Sequence, residues 1–248
     1  MELDPTLPDG LVLLRACSQE EALACLTPVE AAEQAALPSE KRRGDWLLGR
    51  VAAKAAVRRL LAEEGRVVPD WRDLSLPAGP AGEPRVLLPG GPSDLAVSLS
   101  HGHGLALAWA RRSGPAGGLP GVDLERVRSR PEGTLRFYLH PDERAPVLQL
   151  PAGAGEAPGP RDHLAILLWA LKEAAFKALV PPRGLGLLDV RVRLEGGWEA
   201  QEGTSRVELR EGLAARARAL GVAEVRARWR REGELVLAWV EARGAALP

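Results

Sequence analysis

The chain has 248 residues, 46% of them hydrophobic and 27% charged, the balance of a folded, water-soluble protein with room for one large core or two smaller ones. Its 33 basic and 33 acidic residues cancel, which argues against bulk electrostatic attachment to nucleic acid or an anionic membrane. Cys17 and Cys25 have neither metal-ligand nor redox spacing, no apolar run is long enough to span a bilayer, and no leader pattern opens the chain; a cytoplasmic protein without a disulfide framework is expected.

In chain order, Leu11 to Leu14 reads as a strand, Glu20 to Leu26 as a turn or two of helix, and residues 28–37 as a helix opened by Thr27 and Pro28. Ser39 is an N-cap for a longer helix running to about Glu64, with Gly65 as its stop. Arg42, Arg43, Arg50 and Lys54 give that helix a basic strip, either a solvated face or an anion site. Residues 69–93 read as loop with a short strand at Arg85 to Leu88. Residues 95–100 alternate as a half-buried strand, HGHG turns the chain, and Leu105 to Ala110 returns, which leaves Ser100 and His101 where a strand meets a turn. A lone Ser-His there most often serves local hydrogen bonding, and no nucleophile-elbow sequence supports serine hydrolase chemistry.

The Gly/Pro-rich stretch 112–120 is the expected boundary between two halves, residues 1–119 and 120–248. Beyond it, Val122 and Leu124 should face one side of a strand and Asp123 and Glu125 the other. Paired carboxylates repel unless a cation lies between them, and a hard ion such as Mg²⁺ takes oxygen ligands; D-x-E alone is nonetheless a weak signal. A short helix near Thr134 to Leu139 and a proline-rich loop over 141–163 lead to LAILLWALKEAAFKAL, Leu164 to Leu179. This helix is apolar except for Lys172, Glu173 and Lys177, with Glu173 and Lys177 one turn apart. Charges in so apolar a helix lie on a single wet stripe or line a cleft. The chain has only four lysines, and two of them fall here; unlike Arg, a Lys in a perturbed site can give up its proton, a hint of proton chemistry at Lys172 or Lys177. Pro181-Pro182 stops the helix and Arg183 opens a turn; Val190 to Leu194 reads as a strand, Val207 to Ala219 as a strand start and an Arg-rich helix, and Val225 to Val240 as a hairpin with Arg226, Arg228 and Arg230 on one wet face. No short repeat is visible.

Taken together, KRRGDWLLGR (41–50), GEP (82–84), SLSH (98–101), GVDLE (121–125) and WALKEAAFK (169–177) resemble the Sfp-type 4′-phosphopantetheinyl transferases. The order and rough spacing agree over residues 41–186, and the pairing of G-x-D-x-E with W-x-x-K-E-x-x-x-K is the specific part. The resemblance implies an α+β fold of two similar halves packed as a pseudo-dimer, with the active site in the cleft between them. It implies a holo-[acyl-carrier-protein] synthase activity: transfer of phosphopantetheine from coenzyme A to a serine of an apo acyl or peptidyl carrier protein, releasing 3′,5′-ADP. Asp123, Glu125 and Glu173 would surround Mg²⁺, or Mn²⁺ in its place, on the CoA pyrophosphate. Glu173, directly or through a water, would be the base, and Lys177 would stabilise or protonate the leaving phosphate. Lys172 would serve phosphate binding or an ion pair, and Trp169 packing. Arg42, Arg50, Ser100 and His101 would contact the CoA phosphates, and Gly82, Glu83 and Pro84 the adenine. Ala78 stands near a place where relatives often carry a basic residue, so the nucleotide contacts there would be weaker or come from Arg85. Members with two such halves are monomers. Two other readings compete: a CoA-binding module without turnover, and a different Mg²⁺-dependent phosphoryl transferase acting on a nucleotide, which the absence of Walker or kinase motifs disfavours.

Overall fold

The computed structural model of the chain describes residues 1–4, 6–113, 118–154, 157–181 and 184–244. Pro182 and Arg183, and part of the stretch read as a linker, lie outside them. The fold is α+β, with two five-stranded sheets, one in each of two compact units, Met1–Pro120 and Gly121–Pro248. No described helix is long and apolar enough to cross a membrane.

Unit 1 contains β1 (Glu2–Leu3), β2 (Leu11–Ala16), α1 (Gln19–Ala24), α2 (Pro28–Ala35), α3 (Glu40–Glu63), β3 (Arg85–Leu88), β4 (Gly91–Gly102) and β5 (Leu105–Arg112). The Ser39 hydroxyl accepts from the Arg42 N–H and starts α3, and Gly65, at φ +66°, ends it in a conformation that costs glycine least. The sheet runs β1-β2-β5-β4-β3, with α3 against its centre. Val12, Leu14, Val51, Ala55, Leu61, Ala106 and Ala108 share its core.

Unit 2 contains β6 (Gly118–Arg126, within the unit from Gly121 on), α4 (Glu132–Leu135), α5 (Pro141–Gln149), α6 (Pro160–Leu179), a 3₁₀ turn (Leu187–Asp189), β7 (Val190–Glu195), β8 (Glu202–Leu209), α7 (Glu211–Ala219), β9 (Val222–Glu232) and β10 (Leu235–Gly244). Its order is β6-β10-β9-β8-β7, and α6 packs mainly on β10. The central helix begins four residues before Leu164. Pro160 occupies its first turn, and the Asp162 carboxylate accepts from the Gly159 N–H (2.9 Å) and the Gly153 N–H (3.2 Å). The region read as a proline-rich loop contains α5, because Pro141 stands at the tolerated N1 position and Glu143 bonds back to the His140 N–H at 2.8 Å.

The two units repeat one plan. Leaving aside the two-residue β1, each has a strand (β2 or β6), a short helix, a second helix with proline at N1, a long helix, and a meander, interrupted by α7 in unit 2, whose last strand (β5 or β10) pairs with that strand. In unit 1 the meander begins with residues 75–78, which join β3 and Pro84 through antiparallel bridges Ser75↔Leu87 and Ala78↔Pro84. The repeat unseen in the sequence has one short trace: L-x-L-A-W recurs in β5 (Leu105 to Trp109) and β10 (Leu235 to Trp239).

Candidate active site

Gly121 opens the carboxylate site. A Cβ on this residue would lie 1.9 Å from the Ala174 carbonyl oxygen and 2.7 Å from the Ala178 nitrogen, so only glycine lets β6 lie directly on the α6 backbone. With the strand this close, Asp123 and Glu125 stand beside the column Trp169, Glu173 and Lys177, which recurs every four residues along α6. The Lys177 ammonium donates to Asp123 Oδ1 (2.8 Å) and to the Val122 carbonyl (3.2 Å). Eight residues back along the helix, the Trp169 indole N–H donates to Glu125 Oε1 at 3.1 Å. Glu173 lies on the helix between these two contacts.

Burial and nearby charge act on two of the three carboxyl groups. Burial and the charge of Asp123 raise the pKa of Glu125, and Arg130, the Trp169 bond and Arg128 oppose the rise. Burial, Asp123 and then Glu125 raise the pKa of Glu173, with Lys177 opposing. Glu125 and Glu173 are therefore each pushed up first by burial and then by neighbouring carboxylate charge, which a cation would relieve. Asp123 is buried along with Val122 and Leu124, while Asp123 and Glu125 both meet side chains of α6.

The donor chemistry fits a hard divalent ion, since all three side chains offer carboxylate oxygens and their mutual repulsion would be relieved by a cation. Among the described residues no three of His, Cys, Asp or Glu already stand close enough to hold an ion jointly. Asp123 Oδ1 is engaged by Lys177, so an ion drawing in Asp123 would compete with that ammonium.

Two residues that sequence reasoning passed over support Glu125. Trp169, read as packing, is its hydrogen-bond donor and stacks edge-on against Tyr138 with ring centroids 4.8 Å apart. The Arg130 guanidinium covers the Trp169 ring at 4.7 Å and approaches Glu125 Oε2 at 3.9 Å. The placement of Trp169 four residues before Glu173 was the available signal.

Lys172 does not join this cluster. Its ammonium is fully buried on another face of α6, where it meets Glu143 Oε2 (2.5 Å), the Val190 carbonyl (2.6 Å) and the Leu187 carbonyl (3.4 Å). Of the two roles expected for it, the ion pair is what the structure displays.

In unit 1, a Cβ on Gly49 would lie 2.6 Å from His101 Cδ2, so the His101 ring rests on α3 at the residue before Arg50. Arg50 stacks over Trp46 at 4.7 Å, and burial lowers its pKa, opposed by the charges of Glu30 and Glu33. Arg42 lies two turns earlier on the helix and is exposed; Ser100, the neighbour of His101 on β4, is buried. Lys54 departs from the basic strip: it is fully enclosed with Glu30 at 2.6 Å and belongs to the core side of α3. Gly82 to Pro84 close a small hairpin. Gly82 turns the chain at φ +88°, the Glu83 carboxylate accepts from the Ala81 N–H at 2.9 Å, and Pro84 pairs across to Ala78.

Residues 120–219 match the family model of the 4′-phosphopantetheinyl transferase superfamily. The matched residues include G-x-D-x-E and W-x-x-K-E-x-x-x-K, and with them Asp123, Glu125, Glu173 and Lys177. Among solved structures, the chain is similar to the Thermotoga maritima holo-[acyl-carrier-protein] synthase (19% identity, 51% of this chain and 64% of that one, TM-score 0.38). It is also similar to the Plasmodium yoelii acyl carrier protein synthase with ADP bound (20%, 51% and 95%, 0.40) and to the Helicobacter pylori holo-[acyl-carrier-protein] synthase in complex with coenzyme A (19%, 49% and 96%, 0.36). No curated protein matches the chain.

Proposed function

We propose that the protein transfers the 4′-phosphopantetheine group of coenzyme A to a serine of an apo acyl or peptidyl carrier protein, releasing 3′,5′-ADP. The observation that carries this reading is the acid cluster Asp123, Glu125 and Glu173 with Lys177 at its edge, in the part of the chain that matches the transferase superfamily. Asp123, Glu125 and Glu173 would hold Mg²⁺, or Mn²⁺ in its place; the ion supplies charge neutralisation at the pyrophosphate.

The residues then divide the work. Glu173, whose raised pKa makes it a stronger base than an ordinary carboxylate, takes the proton of the carrier serine directly or through a water. The serine oxygen forms a bond to the β-phosphorus of CoA, the bond from that phosphorus to the bridging oxygen breaks, and 3′,5′-ADP leaves with the electron pair. Lys177 is the adjacent cation that stabilises the charge developing on the leaving phosphate. Arg42, Arg50, Ser100 and His101 of unit 1 bind the CoA phosphates, with Arg50 and His101 brought to the same part of α3 by Gly49. The hairpin at Gly82, Glu83 and Pro84 presents backbone groups to the adenine, and Arg85 beside it supplies the positive charge that Ala78 lacks.

The test mixes the protein with apo carrier protein, CoA and Mg²⁺ and follows the carrier by intact mass spectrometry. A Mg²⁺-dependent gain of one phosphopantetheine group is the expected result. CoA binding with no modification of several unrelated carriers would replace this reading with that of a non-catalytic CoA-binding module, and nucleotide turnover without a carrier would replace it with another phosphoryl transferase.

A further inference from the structure

Two ammonium groups are entirely enclosed, Lys54 in unit 1 and Lys172 in unit 2, and their surroundings are alike. Lys54 Nζ meets Glu30 Oε2 (2.6 Å), the Cys25 carbonyl (2.8 Å) and the Trp71 carbonyl (2.9 Å). Lys172 Nζ meets Glu143 Oε2 and the carbonyls of Val190 and Leu187, as described. An ammonium has three donors, so each is satisfied with nothing left over for a substrate phosphate. The glutamates also correspond. Glu30 and Glu143 each cap a helix with proline at N1, accepting from the N–H of Thr27 (2.9 Å) and of His140 (2.8 Å). Their second oxygens accept from the opening segment of each meander, Leu76 N–H at 3.1 Å and Val192 N–H at 2.7 Å.

The correspondence extends along both long helices. Arg59 donates to the Leu11 carbonyl at 3.0 Å just as Lys177 donates to the Val122 carbonyl. In that register Glu173 corresponds to Ala55, Asp123 to Val12 and Glu125 to Leu14. Unit 1 thus keeps the Lys–Glu pair where the acid cluster has apolar counterparts, so the pair belongs to the scaffold and owes nothing to a phosphate.

We propose that Lys172 is a positioning residue, not a ligand of CoA: by tying α6 to the cap of α5 and the start of β7, it sets the rotation at which Glu173 and Lys177 face Asp123 and Glu125. The catalytic half of this statement rests on the proposed function; the scaffold half does not. Three variants separate the outcomes. Lys172→Met leaves Glu143 a buried, uncompensated anion and lowers Tm by about 10 °C, and Lys54→Met lowers it comparably. Adding Glu143→Gln to Lys172→Met removes that charge and recovers about half of the loss.

In this folded double variant, kcat for carrier modification falls at least about tenfold, while the Kd for CoA measured by calorimetry stays within about twofold of the unchanged protein. A tenfold weaker Kd would make Lys172 a phosphate ligand and overturn the proposal, as would an unaltered kcat. If the unchanged protein neither binds CoA nor modifies any carrier, the functional reading fails by itself. The brace is then judged on Tm, and failure of Glu143→Gln to restore stability overturns it.

Discussion

Replacing Gly121 by alanine is the sharpest perturbation available to the carboxylate site, because the added atom collides with backbone on the opposite element. The Cβ would stand 1.9 Å from the Ala174 oxygen, and carbon-to-oxygen contacts settle near ~3.3 Å, so β6 must move off α6 by about 1.4 Å. Overpacking a tight contact costs about 1–3 kcal/mol, and neither partner here is a side chain that can swing away, which puts the cost at the upper end. For a chain of this length that is a fall in Tm of roughly 6–12 °C. The same shift displaces Asp123 from Lys177 and Glu125 from Trp169, and a misplacement of about 1 Å can cost on the order of 100-fold in rate. Gly44 is the internal control. Its Cβ would meet nothing within 4 Å on α3, so Gly44→Ala should raise stability by about 0.5–1 kcal/mol. Thermal melts of both variants, with carrier modification followed by mass, decide the matter. Undisturbed stability and transfer in Gly121→Ala would refute the close-approach argument.

Glu173→Gln should abolish transfer while leaving the melt within about 2 °C of the unchanged protein, since the replacement is isosteric and Glu173 is only partly buried; undiminished activity would remove Glu173 from the mechanism. Trp169→Phe keeps the ring against Tyr138 but loses the donor to Glu125, which should lower stability by about 1–2 kcal/mol and weaken Mg²⁺ activation, read as a higher Mg²⁺ concentration for half-maximal rate. Glu125 and Glu173 have folded-state pKa values raised above their usual 4.5, so the folded protein holds these protons more tightly than the unfolded chain, and stability is lost as pH rises from near 4.5 through the folded values. A cation that binds the ionised pair offsets this loss. The rise in Tm on adding Mg²⁺ should therefore be larger at pH 7.5 than at pH 5, and a shift equal at both would contradict the acid cluster as its site.

The chemistry of the site was more legible in the sequence than its support. Asp123, Glu125, Glu173 and Lys177 announce themselves because ionisable residues are rare in such apolar surroundings and fall at strand and helix spacings. The helix α5 was hidden by Pro141 and Pro146, which read as loop signals although proline is well placed at N1. Residues 75–78 were hidden by the prolines and glycines around them, and they pair with Pro84 and β3 through only isolated bridges. Lys54 was misread as part of a wet strip because its partner Glu30 lies on a different helix, and local periodicity carries no information about such a contact. Trp169 was ambiguous for the same reason: an indole serves packing and hydrogen bonding at once, and only the position of Glu125 separates the two.

The repeated plan gives the two helix–strand seams unlike characters. In unit 1 the seam is closed by Val12, Leu14 and Ala55, all buried, and its cohesion is indifferent to ions and pH. In unit 2 the equivalent positions repel one another. Amide hydrogen exchange should register the difference: β2 should be protected whatever the buffer, whereas β6 should open more readily at neutral pH and tighten as divalent cation is supplied. One copy of the architecture then acts as a rigid keel, and the other is poised to respond to its ionic surroundings.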